Sequence, residues 1–220
     1  MTKEFLRGRS VLIAGATGLV GNAVLAQASV DPRFDRVTAL VRRSLPPLPK
    51  VEQWVAGEEG LLSGLRAESV DAVICCLGTT IKTAGSQAAF RHVDYDLVVG
   101  LGNWAKAQGV PVFCVVSSIG ADPGSRVFYS RVKGEMEEAL AGLGLSTLHI
   151  FQPSILTGPR VERRVGERVG IAVMRFLAPV LPMRYRPMPH DVLAKALLNA
   201  IEVGIGGTYT YAAIMRLAAG

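Results

Sequence analysis

Tyr129 and Lys133 stand four residues apart, and two serines, Ser117 and Ser118, precede them. A free phenol has a pKa of about 10 and is a poor proton donor or acceptor near neutrality unless a cation stabilises the phenolate. On a helix, the i, i+4 spacing puts an ammonium on the same face as the phenol. With Ser118 orienting a carbonyl oxygen, Tyr129 could protonate that oxygen as a hydride reaches the carbon; in reverse, the same groups oxidise an alcohol. A Tyr and Lys at this spacing also occur on ordinary helix surfaces, so the chemistry depends on what the rest of the chain supplies.

A hydride needs a carrier, and the N-terminal stretch Val11 to Gly21 is built to hold one. Val11, Leu12, Ile13 and Ala14 read as a buried strand, Gly15-Ala16-Thr17-Gly18 as a turn, and Leu19 to Ala28 as a helix. Gly15 would permit the tight turn, Gly18 a close approach of backbone to a pyrophosphate, and Gly21 close packing of helix on strand. Free amides at the helix start would face the phosphates. The spacing is Gly-x-x-Gly-x-x-Gly, and such turns also occur at strand–helix junctions that bind nothing. The uncharged run Ser10 to Val30 behind Lys3, Arg7 and Arg9 could also pass for a signal or a membrane span. Its glycines, Asn22 and the strand it would remove argue against both.

Further along, Arg36 to Val41 reads as a second strand, followed directly by Arg42 and Arg43. An acidic residue there would suit the ribose 2′-OH of NAD, whereas arginine suits the 2′-phosphate of NADP. Paired arginines can also simply end a strand at the surface. Val51 to Val55 and Ala72 to Leu77 read as strands, the latter ending in Gly78-Thr79-Thr80, small enough for a ribose or nicotinamide to come close. Gln87 to Ala107 has helical periodicity. Val112 to Val116 delivers Ser117 and Ser118 to the edge where open α/β sheets bind ligands. The segment carrying Tyr129 and Lys133 continues as a helix to Leu143, and Ser146 to Gln152 is a sixth strand. A helix to Leu177, a proline-punctuated connection, a helix from His190 to Val203 and a short strand, Thr208 to Tyr211, complete the chain.

The alternation of strands and helices predicts an α/β fold, a doubly wound parallel sheet of Rossmann type in one domain over 1–220, with a small cap mainly within 157–189. Half of the residues are apolar and the net charge is +6, a balance compatible with anionic ligands; no interleaving of basic and aromatic residues suggests nucleic acid. Cys75, Cys76 and Cys114 have neither disulfide nor metal spacing and read as buried thiols of a cytoplasmic protein. His92, His149 and His190 lie far apart, as helix-surface or strand residues rather than metal ligands. Arg160, Arg163, Arg164 and Arg168 read as a solvated loop, and the apolar residues of 171–183 as core or a homodimer face. No membrane span is expected.

Leu40-Val41-Arg42-Arg43, Cys75-Cys76-Leu77-Gly78-Thr79-Thr80, Ser117-Ser118-Ile119-Gly120-Ala121-Asp122 and Tyr129-Ser130-Arg131-Val132-Lys133-Gly134-Glu135 together carry a resemblance over nearly the whole chain. The sequence resembles the short-chain dehydrogenase/reductase superfamily and, more narrowly, is similar to the Tat-interactive-protein-like oxidoreductases. The resemblance implies a Rossmann fold binding NADPH in preference to NAD. It implies Thr17, Gly18, Leu19 and Val20 at the pyrophosphate, Arg42 and Arg43 at the 2′-phosphate, and Leu77 and Gly78 at the ribose. Pro153 belongs to the implied cofactor set, with Leu156 near the nicotinamide and Arg164 as a further cofactor arginine. Tyr129 is the implied proton donor or acceptor, with Lys133 beside it; both also count in the cofactor set, where Lys133 could hold the nicotinamide ribose hydroxyls. Two departures stand out: Gln152-Pro153 replaces the usual Arg-Pro, and Asp94 stands where many members hold a structural asparagine, which leaves a proton relay through that helix unsupported.

The expected activity is NADPH-dependent reduction or oxidation of a small carbonyl or alcohol. An NADPH-sensing regulator acting through a protein partner, and an epimerase or dehydratase that recycles its cofactor, are the alternatives, since fold does not fix function.

Overall fold

The computed structural model describes residues 8–158 and 183–220. The apolar runs form a seven-stranded sheet from β1 (Arg9–Ala14), β2 (Phe34–Val41), β3 (Val51–Val55), β4 (Ala72–Cys75), β5 (Val112–Val116), β6 (Thr147–Phe151) and β9 (Gly207–Tyr209). Its order is β3-β2-β1-β4-β5-β6-β9, and all six ladders are parallel. From β1 the chain winds outward through β2 to β3, then crosses back to β4 and winds the other way. The crevice that opens between the carboxyl ends of β1 and β4 is where such sheets take ligands. This is the α/β, doubly wound architecture expected from the sequence.

Strand alternation divides the core in two. Val11 and Ile13 point into one apolar cluster with α1 (Leu19–Val30), α6 (His190–Ala200) and α7 (Tyr211–Ala219). Leu12 and Ala14 point into the other, with α4 (Leu97–Ala107) and α5 (Phe128–Gly142). A strand covered on both faces has no polar face to show, which is why these strands read as unbroken hydrophobic runs.

Three elements differ from expectation. The helix expected over Gln87 to Ala107 is α3 (Gln87–Arg91) and α4 joined by a π turn at His92–Asp96, a distortion that commonly marks functional positions. Beyond β9 the chain forms α7, which the sequence reading ended as a strand. After β4 a short helix, α2 (Ile81–Ala84), is capped by Thr80, whose hydroxyl accepts from Thr83 N. Of the expected cap, the described part is a two-strand ladder in which β7 (Leu156–Thr157) pairs with β8 (Met188–Pro189). The helix expected to end at Leu177 and the apolar run of 171–183 lie outside the described residues, apart from the last position of that run. The uncharged run once open to a signal or span reading is β1 and α1, and no described helix is long and apolar enough to cross a membrane.

Candidate functional site

The glycine turn owes its shape to two crowded positions. Gly15 has φ +82°, and a side-chain carbon there would also meet the Cys76 backbone at 2.6 Å. At Gly21 such a carbon would stand 2.1 Å from the Gly15 carbonyl oxygen. Gly15 O accepts Gly18 N at 3.0 Å, and Gly18 O then accepts Asn22 N at 2.9 Å, starting α1. No acidic residue occupies the first turn of α1, so its amides and dipole favour an incoming anion.

A cleft of about 600 Å³ opens in front of this turn. Thr17, Gly18, Leu19 and Val20 line one end, Leu77, Gly78 and Thr79 the floor after β4, and Ser117, Tyr129, Lys133 and Leu156 the other end. Residues not singled out for the site line it too, Asp94 and His190 among them. The motif residues lie on five separate segments, and the carboxyl edge of the sheet brings them to one cavity.

Tyr129 and Lys133 occupy the first turns of α5. The Tyr129 ring packs against Phe90 with centroids 5.4 Å apart. One residue past the lysine, Gly134 leaves no room for a side chain: a carbon there would meet Pro123 N at 2.2 Å. The 121–123 loop therefore lies directly on α5, and Asp122 N donates to Ser130 O at 3.0 Å, which fixes the end of β5 against the helix. Lys133 is 3% exposed, and its Nζ lies 2.7 Å from Asp94 Oδ1. Asp94 Oδ2 accepts Thr79 N at 2.8 Å. Burial works to lower the Lys133 pKa, but the Asp94 carboxylate and Tyr129 outweigh it, and the ammonium is held above its ordinary value.

Of the two serines, Ser117 faces the cleft, whereas the Ser118 hydroxyl donates to Ile119 O at 3.3 Å and lines no part of it. Behind Ser117 lies Glu137, one further helical step along the Tyr129–Lys133 face. The Ser117 hydroxyl makes no hydrogen bond of ordinary geometry but lies close enough to Glu137 to favour its ionised form. Burial nevertheless raises the Glu137 pKa, against the pull of Ser117, Gln152 and Lys133. Gln152, in place of the expected arginine, donates to both Glu137 oxygens at 3.1 and 2.9 Å.

Arg42 and Arg43 are exposed just past β2 and do not line the cleft. Pro153 lies behind the cleft, where its carbonyl accepts Ile119 N at 3.0 Å. Arg164 and the neighbouring arginines lie outside the described residues. Burial pushes the Cys75 thiol up to about 12 and raises Cys76 and Cys114 as well, so these are poor nucleophiles. His149 is fully buried in β6, whereas His190, read as a surface residue, borders the cleft with Nδ1 3.1 Å from Thr157 O. No sequence signal pointed to it, since its approach depends on the β7–β8 ladder.

A parallel doubly wound sheet with a glycine turn feeding a helix N-terminus defines a Rossmann-type fold. Among curated proteins, the chain is 36% identical over 206 residues to Protein HTATIP2 of Rattus norvegicus, covering 91% of this chain and 85% of that one. It is 33% identical over 206 residues to the mitochondrial protein FMP52 of Candida albicans, covering 90% of each. The chain belongs to the HTATIP2/FMP52 family. No family model matches it. Among solved structures, the Helicobacter pylori ADP-L-glycero-D-manno-heptose-6-epimerase superposes with a TM-score of 0.70 at 16% identity, covering 99% of this chain and 83% of that one. The human epimerase family protein SDR39U1 with NADPH gives 0.60 at 19% identity, covering 93% and 77%. These likenesses establish the fold.

The cytoplasmic location expected from the free thiols is corrected by the same relatives, several of which are named as mitochondrial proteins. Reduced, buried cysteines suit more than one compartment and did not discriminate between them.

Proposed function

We propose that the protein is an NADPH-dependent oxidoreductase of a small carbonyl or alcohol, working as a single domain. The observation that carries this reading is the convergence of the glycine turn, Ser117, Tyr129 and Lys133 on one cleft. The site suits a dinucleotide: positions 15 and 21 exclude any side chain, and the start of α1 carries no opposing acid. Thr17 to Val20 would hold the pyrophosphate, Leu77 to Thr79 the ribose and Leu156 the nicotinamide end. Arg42 and Arg43, free of ion pairs with described residues, would reach the 2′-phosphate.

When bound, the dinucleotide supplies or accepts the hydride. Ser117, in the role first read for Ser118, orients the substrate oxygen by donating a hydrogen bond. Tyr129 Oη delivers the proton to that oxygen in reduction and removes it in oxidation. Lys133 supplies a fixed positive charge beside the phenol. The structural neighbours include MoeE5 in complex with NAD and SDR39U1 with NADPH, which supports a nicotinamide cofactor without choosing between them.

The test is fluorescence titration of NADPH and NADH on the wild-type protein and on Arg42→Ala/Arg43→Ala, followed by turnover on a carbonyl panel. The double variant is expected to lose roughly 1.5–3 kcal/mol of NADPH affinity per charged hydrogen bond removed and to spare NADH. Equal losses for both would overturn the phosphate assignment. NADPH binding without turnover would favour a sensor acting through a partner, and product without net NADPH consumption an epimerase.

A further inference from the structure

Asp94 lies on the π turn between α3 and α4, and Lys133 on α5. Their side chains meet at 2.7 Å with 1% and 4% exposure. An ammonium so far from water would shed its proton unless a charge beside it compensated. Asp94 is the one carboxylate in direct contact with it among the described residues. The second oxygen of the same carboxylate accepts Thr79 N at 2.8 Å, on the segment that forms the floor of the cleft. A side-chain carbon on Gly78 would lie 3.4 Å from Asp94 Oδ1 and 3.8 Å from Lys133 Nζ, so the pair packs directly against that segment at the wall of the cleft.

We propose that Asp94 is a positioning residue for the site: its carboxylate is the built-in counter-ion that keeps the Lys133 ammonium charged and fixed before any ligand arrives, and it ties that ammonium to the Leu77–Thr79 floor. The pair is neutral overall, so the cation is preorganised without leaving a net charge buried at the cleft. The π turn has a use on this reading, because it carries Asp94 at the point where the helix meets both the floor and α5. The groups that face Lys133 are Asp94 from the π turn, Tyr129 and Glu137 from its own helix, and Cys75 from β4. Among the described residues, only Asp94 touches it as an ion-pair partner.

Asp94→Asn separates the two functions, since an amide oxygen can still accept Thr79 N but supplies no charge. The direct readout is NMR titration of the lysine Nζ signal, assigned with Lys133→Met. In the wild type this signal stays that of an ammonium beyond the ordinary lysine range, whereas in Asp94→Asn its midpoint falls by about three pH units or more, as for other buried lysines without a counter-ion. The second readout rests on the NADPH reading. With Lys133 donating to a nicotinamide ribose hydroxyl, affinity in Asp94→Asn should fall about tenfold or more as the pH rises through the lowered lysine midpoint, the loss of one charged hydrogen bond, while the wild type changes little over the same range. A Lys133 signal that stays protonated to pH 10 in Asp94→Asn overturns the proposal. Failure of the wild type to bind NADPH would instead overturn the cofactor reading, with the lysine titration still deciding the role of Asp94. Should Asp94→Asn fail to fold, Asp94→Asn/Lys133→Met is expected to recover folding, because no uncompensated charge is left; a double variant as unstable as the single one overturns the proposal.

Discussion

A side-chain carbon on Gly21 would stand 2.1 Å from the Gly15 carbonyl oxygen, so the first helix can leave the first strand at this angle only if residue 21 has no side chain. Gly21→Ala is therefore expected to destabilise the fold by about 1–3 kcal/mol, the usual cost of forcing a methyl into a packed interior, and to reduce nucleotide binding along with it. Gly142→Ala is the control. It is the same change at the last position of α5, where a side-chain carbon meets nothing within 4 Å, and helix propensity alone predicts a gain of up to about 1 kcal/mol. Urea unfolding of the two variants should give opposite signs; a neutral Gly21→Ala would contradict the packing account.

Tyr129→Phe removes the phenolic oxygen and keeps the ring that packs on Phe90. Stability and NADPH affinity should change little, while turnover on a carbonyl substrate should fall by roughly 10²-fold or more, the scale of general acid catalysis. Steady-state kinetics beside a cofactor titration checks both halves. Unchanged turnover would remove Tyr129 from the mechanism.

The parts of the site that were legible in the sequence are those whose meaning is local. The glycine turn is one strand–turn–helix junction, and Tyr129 and Lys133 share a helical face. The central strands were legible as short apolar runs, rich in β-branched residues and bounded by turn residues, too brief for helices. Legibility ended where an assignment depended on tertiary approach. Asp94 and Lys133 meet only because a π turn bends one helix toward another, and the long apolar period from Phe90 to Trp104 gave no sign of that turn. Ser118 was preferred to Ser117 because the chain's direction beyond Val116 cannot be extrapolated from strand alternation once the strand has ended. His190 reached the cleft through a two-residue ladder too short to leave a pattern.

His149 offers a test of the distal half of the sheet. It is fully buried in β6, with Nδ1 3.0 Å from Tyr209 Oη and Nε2 3.1 Å from Val203 O. A carbonyl can only accept, so Nε2 carries the proton and Nδ1 accepts from the Tyr209 hydroxyl. Burial lowers the pKa from 6.5, against the opposing effect of the Val203 carbonyl. In the unfolded chain the imidazole takes up its proton near pH 6.5, while in the folded chain it resists until lower pH. The unfolded state thus binds more protons in that window, and stability falls as the pH drops below about 6.5 toward the folded value, by at most about 1.4 kcal/mol per pH unit for one group. His149→Phe should be less stable than the wild type at pH 7.5, because Val203 O and Tyr209 Oη lose a buried partner. The gap should narrow by pH 5.5, where only the wild type bears the cost of burying a neutral imidazole. Urea midpoints for both proteins at the two pH values measure this, and a gap that stays constant would show that His149 is not the group that titrates.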